Sequence, residues 1–142
     1  MLPLEIQTDH EQAIREHGQR AYPHECCGIL LGRDEPELRR ILRIVSAVNR
    51  HDTEHQHHRF VISPKAFLEA DKTARANQME ILGFYHSHPN ALARPSAYDL
   101  EHAWPIYSYL IVSVHEGEPL DMTCWVLEND RSKFNEQPVV IA

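Results

Sequence analysis

Only three cysteines occur in 142 residues, and two of them, Cys26 and Cys27, are adjacent. An odd count with that spacing offers no disulfide framework and fits a reducing compartment. Glycine is scarce at five, so flexible hinges are few. No apolar run approaches the ~20 residues of a membrane span. The opening MLPLEIQTDHEQ is too poor in apolar residues for a signal peptide. Positive charge is also short, with 14 Lys and Arg against 21 Asp and Glu, a net −7. That average repels a phosphate backbone, so no nucleic-acid partner is expected. Arg39, Arg40 and Arg43 come nearest to a basic patch and read as a solvated strand edge. The expectation is a cytoplasmic protein, monomer or homodimer, with neither nucleic acid nor membrane as partner.

What is present is a globular mixture, 42% hydrophobic and 25% charged. The length suits one domain spanning residues 1–142. The pattern alternates helix and strand, which predicts an α/β fold with a central mixed sheet flanked by helices. A helix is expected from Asp9 to about Tyr22, after a Thr8/Asp9 cap signal and before Pro23. Cys26–Gly32 (CCGILLG) reads as a buried strand, and Leu38–Val48 as β-rich. Asn49–Arg59 reads as an exposed, histidine-laden loop, and Phe60–Ile62 as a short strand. Ser63-Pro64 opens a helix to about Asn77, with serine as cap and proline at the first helical position. Further strands are expected at Met79–His88, Ile106–Val114, Leu120–Leu127 and Val139–Ile141, with a helix from Ser96 to about Ala103.

Histidine is abundant, with eleven copies. In His86-Ser87-His88-Pro89, side chains at i and i+2 of a strand point to one face. His86 and His88 then project together, with Tyr85 and Ser87 facing away, and Pro89 ends the strand. Two such imidazoles suit a zinc ion, with Zn–N bonds of about 2.0–2.1 Å. Asp99, eleven residues on, can supply a third ligand from the first turn of a helix, where the helix dipole favours the carboxylate. Three protein ligands leave one position open, the pattern of catalytic rather than structural zinc. Ser96 has two readings. It is either the cap of a capping box with Asp99 or an oxyanion donor beside the metal. Glu25 also has two, as an exposed turn carboxylate or as the base that takes a proton from the attacking water.

His51, His55, His57 and His58 form a second cluster, which reads as a solvated loop near the site mouth rather than a fixed metal site. Cys27 lies in an apolar run and reads as a small hydrophobe, not a nucleophile. Trp104 and Trp125 read as core or edge aromatics. His10, His17, His102 and His115 are isolated and read as surface or satisfied helix histidines.

These residues resemble a known family. The string His86-x-His88-Pro89, then Ser96 and Asp99, with Glu25 upstream, resembles the JAMM motif of MPN+ metalloproteases (Mov34/MPN/PAD-1), in their small prokaryotic branch. ECCGILLGR, ILGFYHSHPNALARPSAYDLEHAW and SYLIVSV carry the likeness from Glu25 to Val114. The resemblance implies the MPN fold, one Zn2+ on His86, His88 and Asp99, Glu25 as general acid/base and Ser96 as oxyanion partner. It implies peptide or isopeptide hydrolysis at the Gly-Gly tail of a ubiquitin-like or sulfur-carrier protein, such as release of cysteine from a carrier adduct. The compact chain lacks room for a large ubiquitin-gripping insert, which favours a thin carrier tail. The alternative is a catalytically silent MPN-type protein-binding module.

Overall fold

The computed structural model describes residues 1–142. In chain order the elements are β1 (Leu4–Ile6), α1 (Thr8–Ala21), β2 (Cys27–Asp34), β3 (Arg39–Ala47), α2 (Pro64–Ala76), β4 (Glu80–Pro89), α3 (Ala97–His102), β5 (Ser108–His115), β6 (Glu118–Leu127), β7 (Phe134–Gln137) and β8 (Val139–Ile141). The strands make one sheet in the order β7-β6-β5-β4-β2-β3-β1-β8. β4 runs parallel to β5, and β1 parallel to β3 and β8, while the other neighbours are antiparallel. This is the mixed, helix-flanked sheet expected from the sequence.

The apolar run at residues 27–32 follows from the position of β2, one of the two central strands of the sheet and covered on both faces. Ile29 and Leu31 pack with Ala70 and Ala74 of α2 on one side. Leu30 packs with Ile14 of α1, Leu110 and Val112 on the other. A strand covered on both faces shows no polar alternation. Each such fully buried Leu or Ile contributes roughly 1.5–3 kcal/mol.

Two glycines set the spacing around β4. Gly28 pairs with Tyr85, and a Cβ there would lie 2.0 Å from the Tyr85 ring. Gly83 pairs with Ser108, and its Cβ would lie 1.8 Å from the Ser108 carbonyl oxygen. The Tyr85 ring therefore lies flat over β2 and its hydroxyl reaches His17 Nδ1 of α1, 2.8 Å away. Ser87 accepts a hydrogen bond from the Cys26 amide at 2.8 Å. Strand β4 is thus pinned by Tyr85 and Ser87, leaving His86 and His88 to the opposite face.

Several expectations change. Phe60–Ile62 is not a strand. Val61 bonds to the Asn49 side chain and to the Arg50 amide instead of to a sheet neighbour. β1 and β7, only three and four residues long, carry too little periodicity to read from the sequence. Helix α1 has Gln7 at its N-cap with no side-chain cap bond, in place of the expected Thr8/Asp9 cap, and the Thr8 hydroxyl donates to the Ala142 carbonyl. Arg39 and Arg40 are not a solvated edge, since β3 lies between β2 and β1. Arg39 pairs with Asp34 and donates to the Leu82 and Ile106 carbonyls, fastening the segment that leads into β5. Arg40 pairs with Glu35 and Glu5.

Candidate active site

The C-terminal end of β4 carries His86 and His88, both buried. Helix α3 brings Asp99 over them. Asp99 Oδ2 lies 3.3 Å from His86 Nε2 and 3.2 Å from His88 Nε2, and the two ring nitrogens are 3.1 Å apart. His88 Nδ1 lies 2.9 Å from the Leu92 carbonyl oxygen. A carbonyl only accepts, so that nitrogen carries the hydrogen and Nε2 of the neutral ring is a bare lone pair. This lone pair faces a carboxylate oxygen and a second imidazole. While both rings are neutral, at most one hydrogen, on His86, is available among three acceptors, so the set fits a shared cation. The separations match the edge of a zinc tetrahedron, roughly 3.3 Å for bonds of about 2.0–2.1 Å. His86 Nδ1 is buried with no protein partner, and the Phe60 ring stacks on the same imidazole with centroids 4.5 Å apart.

Ser96 and Asp99 form the capping box that the sequence allowed. Ser96 Oγ accepts from the Asp99 amide at 3.1 Å, and the Ser96 amide donates to Asp99 Oδ2 at 2.8 Å. The cap and the histidine contacts coexist, because one carboxylate oxygen has more than one lone pair. The Ser96 hydroxyl keeps its own hydrogen free to donate.

Glu25 is buried at 4% exposure, not an exposed turn residue. It stands just before β2, where the register that pairs Cys27 with His86, continued two residues, sets it beside His88. Its amide donates to the Gln56 carbonyl at 2.6 Å and its carbonyl accepts from Asn49 Nδ2 at 3.1 Å, so its backbone is held on both sides. Glu25 Oε1 has no protein partner. A buried, unsatisfied carboxyl oxygen costs about 1–3 kcal/mol or more, a cost met more often at functional sites than in plain cores.

The electrostatics follow from burial and from the cluster itself. Burial pushes the Glu25 carboxyl up to about 8, against the pull of His88 and with the repulsion of Asp99. Burial also lowers His86. Burial alone would lower His88, but the hydrogen bond and charge of Asp99 outweigh it and raise that imidazole. Asp99 is held well below the usual carboxylate range, since the two imidazoles overcome its own desolvation. The buried Cys27 thiol is pushed up to about 12, so it has no nucleophilic thiolate at neutral pH.

A cavity of about 670 Å³ opens beside His86 and Asp99. Phe60, Phe67, Phe84, Trp104 and Tyr107 line it, drawn from four separate segments. Trp104 is 65% exposed at its rim, not a core residue. Sequence reasoning missed this cavity, and it missed Leu92 and Asn49 as the groups that orient His88 and Glu25. Leu92 acts through its backbone carbonyl, which no residue type signals, and Asn49 lies 24 residues from Glu25. His102 is a satisfied helix histidine, with Nδ1 2.9 Å from the Tyr98 carbonyl.

A profile of prokaryotic homologs of the JAB domain matches residues 7–128, which take in strands β2 to β6, all three helices and every residue of this cluster. The chain belongs to the prokaryotic JAB family. A desampylase of Pyrococcus furiosus is 30% identical over 82% of this chain and 76% of its own length. A desampylase of Haloferax volcanii is 31% identical over 78% of this chain and 80% of its own. A probable TtuB-protein conjugate cleaving protease of Thermus thermophilus is 33% identical over 65% of this chain and 57% of its own. Among solved structures, a protein of Desulfitobacterium hafniense superposes with TM-score 0.84 at 29% identity, over 98% of this chain and 92% of that one. A JAB1/MPN domain protein from Archaeoglobus fulgidus shares the fold at TM-score 0.54 and 17% identity, over 99% of this chain and 97% of that one.

Proposed function

We propose that this JAB-family chain is a zinc-dependent peptidase or isopeptidase. It cleaves a Gly-X amide bond at the C-terminal tail of a ubiquitin-like or sulfur-carrier protein, in the cytoplasm, as one domain over residues 1–142. The observation that carries the reading is the convergence of His86, His88 and Asp99 donor atoms within 3.1–3.3 Å of one another, with Glu25 buried beside them. The names of the Pyrococcus and Haloferax relatives, desampylases, and of the Thermus relative, a conjugate cleaving protease, support the substrate class.

His86, His88 and Asp99 would hold the zinc. When bound, the ion supplies Lewis acidity and makes a water acidic near neutral pH. The residues do the rest. Glu25, raised by burial and with Oε1 uncommitted, takes the proton of the attacking water and returns it to the departing amine. The Ser96 hydroxyl, whose oxygen is occupied by the Asp99 amide, donates its hydrogen to the developing oxyanion. Leu92 keeps the His88 ring in one tautomer. The aromatic cavity beside His86 excludes water and gives an extended tail an apolar bed.

The test uses a carrier-protein adduct, followed by mass spectrometry. Zinc-loaded wild type is expected to release the attached group, while Asp99→Ala neither retains zinc nor cleaves. Cleavage by Asp99→Ala at the wild-type rate would contradict the assignment.

A further inference from the structure

Four of the eleven histidines lie between residues 51 and 58, outside every helix and strand. The sequence reads this stretch as solvated, but the structure folds it back on itself. One donor atom each from His51, Asp52 and His55 comes within 4.8 Å of the others. His55 Nδ1 lies 2.5 Å from Asp52 Oδ1, and His51 Nδ1 lies 3.4 Å from Asp52 Oδ2, so each carboxylate oxygen faces one imidazole. The two rings meet edge-on with centroids 5.6 Å apart.

A second observation is independent of that grouping. His51 Nδ1 is buried and has no hydrogen-bond partner in the protein, its contact with Asp52 being too long. The His51 side chain is 15% exposed and lies edge-on to the Tyr98 ring, which also meets the Arg59 guanidinium and stacks on His102. An imidazole nitrogen buried unsatisfied beside a carboxylate is a poor arrangement for a simple surface loop and a good one for a metal ligand.

The frame is also set in advance. Asn49 Oδ1 accepts from the His51 and Val61 amides, and its Nδ2 donates to the Glu25 and Arg59 carbonyls. Gln56 Nε2 donates to the Asn49 and His51 carbonyls. Two side-chain amides thus tie both ends of the loop together, independent of any ion.

We propose that His51, Asp52 and His55 form a second divalent-cation site, distinct from the His86–His88–Asp99 cluster. Two imidazoles and one carboxylate suit a first-row ion of intermediate softness, such as Zn2+ or Ni2+. The ion clips the loop whose Gln56 carbonyl receives the Glu25 amide, so occupancy of this site stiffens the support of Glu25.

The test counts bound zinc in untagged protein after dialysis against buffered free Zn2+, by elemental mass spectrometry. The variants are His55→Ala and Asp52→Asn. Asparagine keeps an oxygen for the His55 amide, 3.1 Å away in the wild type, and so preserves the turn while removing the anionic donor. Each variant is expected to hold one equivalent fewer than wild type. In the Asp99→Ala background, added zinc is expected to slow hydrogen exchange at the Glu25 and Gln56 amides, and His55→Ala is expected to abolish that response. Equal zinc in wild type, His55→Ala and Asp52→Asn would overturn the proposal and mark any extra ion as adventitious. The loss of an equivalent in Asp99→Ala reports on the catalytic reading alone, so the two can fail separately.

Discussion

Glu25 and Ser96 are the residues at which chemistry and structure separate most cleanly. Glu25→Gln keeps the size and backbone bonds of the side chain but removes its basicity. Zinc content is expected to stay at the wild-type level while turnover falls ~10²–10⁴-fold. Ser96 has both a cap role and a proposed oxyanion role. Glycine is nearly as good a cap as serine, costing only a few tenths of a kcal/mol, whereas alanine costs about 1 kcal/mol. Ser96→Gly is therefore expected to leave the urea midpoint almost unchanged and to slow cleavage ~10²-fold. An unchanged rate would make Ser96 a cap and nothing more. At the other face of β4, burial and the charge of Arg20 lower the His17 imidazole, which sits against the Tyr85 hydroxyl. The unfolded chain then binds the proton more readily than the folded one, so stability is complete above the ordinary value of 6.5 and is lost as pH falls below it. Urea unfolding from neutral to mildly acidic pH is expected to show a steeper loss in wild type than in His17→Gln.

Strand β4 is the element on which the site depends, because its two faces do different work. Tyr85 and Ser87 lock it to α1 and β2, and the intervening residues present the imidazoles. Gly83 lets the strand approach β5 closely. Gly83→Ala places a methyl 1.8 Å from the Ser108 carbonyl oxygen, a backbone atom that cannot swing aside. The expected cost is ~3 kcal/mol or more, read as a drop in urea midpoint. The same period-two geometry made His86 and His88 legible in the sequence, since alternation on a strand needs no tertiary information. Asp99 and Ser96 were legible as a capping pair, and the Ser63-Pro64 start of α2 as a cap followed by proline. Phe60–Ile62 misled because three apolar residues in a row suit a cavity wall as well as a strand. β1 hides Leu4 and Ile6 in the core, but three residues show no period, and the parallel pairing to β3 and β8 that holds them is remote in sequence. The aromatic cavity was illegible for a related reason, as Phe60, Phe67, Phe84 and Trp104 are neighbours only after the sheet and helices have assembled.

At the scale of the whole molecule, an ion that binds only the folded chain couples the site to global stability. Removing zinc with a chelator is expected to lower the thermal midpoint of wild type. The same treatment is expected to shift Asp99→Ala less, since binding to the native state alone stabilises it by about 4 kcal/mol at a thousandfold excess over Kd. The acidic average charge sets no obstacle to a protein substrate, and the cavity beside His86 gives one end of the sheet an apolar face for it. The most direct measurement is cleavage of a carrier-protein adduct by the wild type and by Glu25→Gln, each with stoichiometric zinc, with and without chelator, followed by intact mass. The zinc-loaded wild type is expected to split the tail amide with gain of one water, the chelator to stop it, restored zinc to revive it, and Glu25→Gln to leave the adduct whole. Cleavage that persists without metal, or an adduct that zinc-loaded wild type leaves intact, would contradict the proposed function.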